Sequence, residues 1–338
     1  MKIIVDAFGG DNAPSEILKG CAEALEEHSD LEIIVTGPED KIKKSAQENN
    51  ISIEKIKIAH CDEILTMEDH ATDVVKKKKN SSMAVGLQML ADGEGDAFLS
   101  AGNSGALITG ATLIVKRIKG VKRPAFSPIV PKSAGVFMLI DGGANAECKA
   151  DMLQQFAIMG SVYMSNVMNI KNPRVGLANV GTEDHKGDPL RLETFALLKE
   201  TPVNFVGNVE GRDIPLDGCD VLVTDGFTGN LILKTYEGTA IALMSKIKDV
   251  FKKSLKNKLA AAMVLSDVKE LKKSVDSDVY GGAPILGASK PVFKVHGNAT
   301  SKTVRYAISL TMNYVRTGVI KQIEDEMARI KKSESANA

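Results

Sequence analysis

MKIIVDAFGGDNAPSEILKGCAEALEEHSDLEIIVTGPEDKIKKSAQENN, residues 1–50, decides the fold class. MKIIV is a short apolar run, Ser15 to Glu27 has the spacing of an amphipathic helix, LEIIVTG (31–37) is a second apolar run and Glu39 to Asn49 a second such helix. Strands alternating with helices mark a parallel sheet covered on both faces, the α/β class. The rhythm continues through DAFLSAG (96–102), VFMLIDGG (136–143), RVGLANVG (174–181), VNFVGN (203–208) and DVLVTDGF (220–227). Each reads as a buried strand running into glycine, with Asn, Asp or Ser nearby. An open parallel sheet binds its ligand at the carboxyl ends of its strands, so five polar tips are expected to converge on one sheet edge.

The first tip, VDAFGGDNAP (5–14), places Gly9 and Gly10 before a helix whose free N–H groups favour an anion. Asp11 or Asn12 can cap that helix, and Pro14 suits its first turn. Adjacent glycines without a third do not make the dinucleotide fingerprint Gly-x-Gly-x-x-Gly. The loop fits a phosphate turn, or simply a tight strand-to-helix turn.

A chain of 338 residues with 43% hydrophobic and 25% charged residues can bury a large core. Lys plus Arg equals Asp plus Glu at 43 each, so no net field recruits nucleic acid or membrane. Cys21, Cys61, Cys148 and Cys219 lie far apart, which suits buried thiols in the cytoplasm rather than a disulfide frame or zinc site. The N-terminus has no signal-peptide pattern, and no apolar run approaches the roughly 20 residues of a membrane span.

Two stretches break the rhythm. VVKKKKNSSMAVG (74–86) reads as a solvated helix end, with an acidic-partner site as the alternative. Residues 246–275 flank an apolar middle, including Leu259, Met263, Val264 and Leu265, with lysines. That segment suits lying on a membrane, pairing with a partner helix, or packing on the core. The final KKSESANA (331–338) is expected to be a disordered tail.

No His-Glu-x-x-His, Walker lysine or Gly-x-Ser-x-Gly elbow occurs. His28, His60 and His70 have no local partner suggesting a metal or a triad. What remains is a set of amides, hydroxyls and one cationic loop. SAGNSGA (100–106) offers Ser100, Asn103 and Ser104 at a helix start, and DGGAN (141–145) repeats the design with Asn145. NVGTEDHKGD (179–188) gathers Asn179, Glu183, His185 and Lys186, and TDGFTGN (224–230) adds Asp225 and Asn230. YGGAPILG (280–287) and HGNA, with His296, supply two further turns. Such an assembly holds anions and offers no obvious nucleophile, which suits a substrate that brings its own.

These motifs, with GNVEGRDI (207–214), run in order from residue 1 to about 325 and closely resemble the bacterial phosphate acyltransferase family known as PlsX. Phe8, Gly142 and the stretch SKPVFKVHGNA depart from the family's usual pattern beside its polar positions. The resemblance implies a Rossmann-like α/β/α sandwich related to phosphotransacetylases and to isocitrate and isopropylmalate dehydrogenases. Residues 1–330 would form one catalytic domain, with 246–275 a protruding amphipathic helical segment. The implied reaction moves a long acyl chain from acyl carrier protein (ACP) to inorganic phosphate, giving acyl-phosphate for phospholipid synthesis without cofactor or metal. The implied partners are ACP, a second copy in a homodimer, the membrane surface and the membrane glycerol-3-phosphate acyltransferase, with no nucleic acid. The implied location is cytoplasmic and peripherally membrane-associated. Carried onto this chain, Lys186 and Asn230 are the central pair and His185 a candidate for proton handling. Gly9, Gly10, Asp11, Asn12, Ser100, Asn103, Ser104, Asn145, Asn179, Glu183, Asp225 and His296 would surround the substrates.

Overall fold

The computed structural model describes residues 1–268 and 281–337. The chain opens as β1 (Lys2–Asp6), α1 (Ser15–Glu27), β2 (Glu32–Gly37), α2 (Glu39–Glu48) and β3 (Ile56–His60). Then come α3 (Asp73–Lys76), α4 (Ser82–Asp92), β4 (Ala97–Ser100) and α5 (Ser104–Gly110), which runs on as a π-helical turn. The short strands β5 (Ala125–Phe126) and β6 (Ile129–Pro131) lead into β7 (Val136–Ile140), α6 (Ala150–Asn166), β8 (Arg174–Asn179), α7 (Pro189–Lys199), β9 (Asn204–Glu210) and β10 (Val221–Val223). After the long α8 (Gly226–Lys252) and α9 (Leu255–Met263) come β11 (Ala283–Leu286), β12 (Val292–Lys294), α10 (Ser301–Thr317) and α11 (Val319–Asn337).

The strands make two sheets, ordered β3–β2–β1–β4–β12–β11–β5 and β6–β7–β10–β8–β9, and the expected single edge of five tips is thereby divided. Only the β4 tip belongs to the first sheet, and the other four belong to the second. The division falls at residues 125–131, where the chain leaves the first sheet as β5 and enters the second as β6. Antiparallel pairings at β5–β11, β11–β12 and β6–β7 surround this crossing, while the other ladders are parallel.

Strand alternation explains the unbroken apolar runs. Ile3 and Val5 of β1, Ala97 and Leu99 of β4, Met138 and Ile140 of β7, and Val221 and Val223 of β10 all enter one cluster shared by both sheets. The intervening Ile4 and Phe98 feed a second cluster with α4 and α5. Phe137, Leu139 and Leu222 feed a third, with Leu233 of α8. Both faces of each sheet are therefore covered, as a parallel sheet requires. Gly20 lets α1 meet α10, since a Cβ there would fall 2.6 Å from the Ser301 carbonyl oxygen and from Val304.

Helices α8 and α9 pack on each other and form an arm. Beyond Leu233 the described side chains of α8 are all at least partly exposed, and Leu259 and Met263 of α9 are 64% and 85% exposed. Residues 269–275 of the amphipathic segment, and Tyr280, lie outside the described residues. Among the described residues no helix is long and apolar enough to cross a membrane. Helix α11 continues to Asn337, through the stretch read from sequence as a disordered tail; Lys, Glu and Ala favour a helix there, and neither Gly nor Pro interrupts it. Of the lysine run, Lys76, Lys77 and Lys79 are exposed, while Lys78 turns inward to Asp69 at 2.7 Å.

Candidate active site

A cleft of about 540 Å³ opens where the carboxyl ends of β1, β4 and β12 face the β7 tip and the first turns of α8. Its apolar lining comes from Met67, Ile108, Phe126, Pro128, Ile129 and Leu233. Its polar lining comes from Asp11, Asn230, Lys234, Glu237, Lys294 and His296.

Strand register builds the polar floor. Lys294 of β12 stands opposite Ser100 of β4. Ser100 Oγ donates to Asp6 at the end of β1 at 2.7 Å and accepts from the Gly102 amide at 3.0 Å. Burial pushes the Asp6 carboxyl up, opposed by Ser82, Ser100, the Phe8 amide and the charge of Lys294. Gly9 allows these tips to touch, because a Cβ there would lie 2.5 Å from the Gly102 amide nitrogen. Gly10 has φ +94°, the left-handed region that favours glycine, and the next residue, Asp11, donates its amide to the Gly297 carbonyl at 2.7 Å.

The facing wall is set by Asp141. Its carboxylate accepts from the amides of Phe126, Gly143, Ala144 and Asn145 and from Asn145 Nδ2, at 2.7–3.1 Å. Burial raises its pKa while these donors pull it back. The next turn belongs to α8, which Asp225 caps by accepting from the Thr228 amide at 2.9 Å. Burial alone would raise the Asp225 pKa, but Thr228 and Arg191 outweigh it and hold the carboxylate ionised. Asn230 then packs against Gly143, its amide making no side-chain hydrogen bond among the described residues.

Of the residues singled out in the sequence, Asp11, Ser104, Asn230 and His296 line the cleft, with His296 Nδ1 2.7 Å from Asn298 Oδ1. Others hold its loops. Asn12 binds the carbonyls of Asn298 and Ala299, Asn103 caps α5 while pinning Met67 and Asp69, and Asn145 ties Pro124 to Asp141. Asn179 ends β8, and Glu183, His185 and Lys186 lie on the loop that follows, which is mostly exposed; none of the four lines the cleft. Asn179 Nδ2 donates to the Lys186 carbonyl at 3.0 Å, and Asn208 Nδ2 to that of Glu183 at 2.8 Å. Asp188, at the end of this loop, pairs with Arg191, whose guanidinium also bonds Asp225 and Thr228, so the loop is coupled to the α8 N-terminus.

Lys294, Lys234 and Glu237 also line the cleft, outside the motifs that mark the other lining residues in the sequence. Lys294 did leave a signal, a charged residue within the apolar PVFKV just before HGNA. Lys234 lies four residues after Asn230, on the same helix face.

Solved structures share this architecture. EutD phosphotransacetylase from Staphylococcus aureus superposes with a TM-score of 0.59 at 17% identity, over 93% of this chain and 94% of its own. A phosphotransacetylase from Streptococcus pyogenes does so with a TM-score of 0.60 at 14% identity, over 95% and 94%. The class is thus an α/β protein with the phosphotransacetylase fold. The family model described as fatty acid synthesis protein matches residues 1–322. Over 330 residues the chain is 47% identical to a phosphate acyltransferase from Acetivibrio thermocellus, covering 98% of this chain and 97% of the relative. Over 327 residues it is 44% identical to one from Clostridium novyi, covering 97% and 98%. The chain belongs to this family, the phosphate acyltransferases of fatty acid and phospholipid synthesis, and is an enzyme.

Proposed function

We propose that the enzyme transfers a long-chain acyl group from acyl-ACP to orthophosphate, releasing acyl-phosphate and free ACP. The observation that supports this most is the mixed lining of one cleft, where apolar side chains and the lysines Lys234 and Lys294 border the same cavity. A phosphate oxygen attacks the thioester carbonyl, a C–O bond forms, the C–S bond breaks, and the proton of hydrogen phosphate ends on the departing thiol. That thiol has a pKa of about 8.5, so it leaves with little acid assistance. The protein's task is alignment and stabilisation of charge on the carbonyl oxygen. Asn230 is proposed to orient the phosphate or the carbonyl; Lys186 does not line the cleft, and its proposed role in countering charge on the reacting group rests on the family resemblance and on the coupling of its loop to α8 through Asp188 and Arg191. His185 is a secondary candidate for proton handling. The test is thiol release from acyl-ACP and from acyl-coenzyme A, each with and without orthophosphate. Phosphate-dependent release favouring acyl-ACP supports the reading, and preference for a short-chain acyl-coenzyme A overturns the donor assignment.

The proposed partners follow from surface chemistry. Phe227 and Leu231, one turn apart and exposed on α8, suit burial in a homodimer. Leu259, Met263, Val264 and Leu265 on the arm, with nearby lysines, suit an anionic membrane surface. Release of a reactive, greasy acyl-phosphate beside the membrane acyltransferase that consumes it would limit hydrolysis.

A further inference from the structure

We infer that the phosphate seat of the cleft is the ammonium of Lys294 at the end of β12, completed by Lys234 of α8; this rests on the acyl-to-phosphate reading above. Lys294 is only 7% exposed, yet it lines the cleft. Its Nζ donates to the carbonyls of Ala101 and Val295, which uses two of its three N–H groups and leaves one. Neutral carbonyls fix the ammonium in place without cancelling its charge. Asp6 and Asp11 act on it only through space. A buried cation without a bonded counter-ion is costly, and an anion in the cleft would remove that cost.

The surrounding charges agree. Burial draws the Lys294 pKa down to about 8, Asp6 and Asp11 hold it up, and Lys234 pushes it further down. Lys234 and Lys294 line the same cleft, an arrangement of two cationic side chains suited to a multiply charged oxyanion. Lys234 is engaged at 2.8 Å by Glu237, whose carboxylate also lines the cleft and competes with phosphate for it. His296 stands at the same rim, turned to Asn298.

The experiment measures orthophosphate binding calorimetrically in the absence of acyl donor, and KM for phosphate and for acyl donor in turnover. Lys234→Gln should weaken phosphate binding and raise its KM about tenfold, with the acyl-donor KM unchanged. Glu237→Gln should act in the opposite direction and tighten phosphate severalfold. Lys294→Met should abolish binding, and if that variant does not fold, the opposed effects at the more exposed positions 234 and 237 decide. In wild type, phosphate KM should rise as pH passes about 8, as Lys294 loses its proton. Unchanged phosphate affinity in both the Lys234 and Glu237 variants, or a shift of both in one direction, overturns the seat. If wild-type turnover still depends on phosphate, the reaction reading survives that result. Wild type that binds phosphate with these variant effects but fails to discharge the thioester retains the seat and loses the reaction.

Discussion

A Cβ at position 229 would fall 1.8 Å from the carbonyl oxygen of Asp141, so the first turn of α8 meets the β7 tip only because that residue is glycine. Backbone cannot yield as a side-chain end can, and Gly229→Ala should cost about 3 kcal/mol in urea unfolding. Wild-type stability in that variant would show that the two elements are not held at this distance. The adjacent Asn230→Ala removes an amide with no internal bond, so it should leave stability unchanged and lower kcat about a hundredfold. A kcat within twofold of wild type would remove Asn230 from the chemistry. Sequence led to Asn230, Asp11, Ser104 and His296 because polar residues beside strand-end glycines stand at the mouth of a parallel sheet. The same rule selects Ser100, Asn103 and Asn145, whose side chains bond Asp6, Asp69 and Pro124; short polar side chains serve either purpose, and sequence does not separate them. It passed over Lys294, since a lysine ending a three-residue strand resembles a solvated strand end.

At the scale of elements, the strand and helix alternation was readable because each run is long enough to carry a period. Helix α1 spans Ser15–Glu27, β2 falls within its apolar run, and β1 runs one residue past MKIIV to Asp6. The crossing at β5 and β6 was not readable, since strands of two and three residues have no period and their partners lie far away in sequence. The arm tests a proposed partner. Leu259 is exposed and absent from the core, so Leu259→Glu should leave the melting temperature within about 1 °C while reducing binding to anionic liposomes at least tenfold. Neutral liposomes should bind less, because each lysine near an anionic surface contributes about 1 kcal/mol. Unchanged binding by Leu259→Glu would assign the arm to another partner.

At the scale of the molecule, two sheets share a core, and a charge cluster joins strands of the second sheet at the end remote from the cleft. Lys132, just after β6, bonds Asp217 and Asp220, and Arg174 at the start of β8 bonds the same two carboxylates. Burial would push the Asp220 carboxyl up, but Arg174 and Lys132 more than reverse this and hold it far below the ordinary carboxylate range. A carboxyl with a depressed folded pKa stabilises the protein above its unfolded pKa of about 4, and that contribution is lost as pH falls through the folded value. Stability should therefore decline below about pH 4. Asp220→Asn should cost about 3 kcal/mol at pH 7 and flatten the acid branch. An acid branch identical to wild type would place the sensitivity elsewhere.

The central claim is that this cleft brings orthophosphate directly to a thioester. The most direct measurement is a single turnover with stoichiometric acyl-ACP and radiolabelled orthophosphate, following labelled acyl-phosphate, free thiol and the intact mass of the protein together. Acyl-phosphate and thiol should appear in equal amounts and at one rate, with the protein never acylated. Thiol release at the same rate without phosphate, or an acylated protein that forms and decays fast enough to lie on the route, would contradict the account.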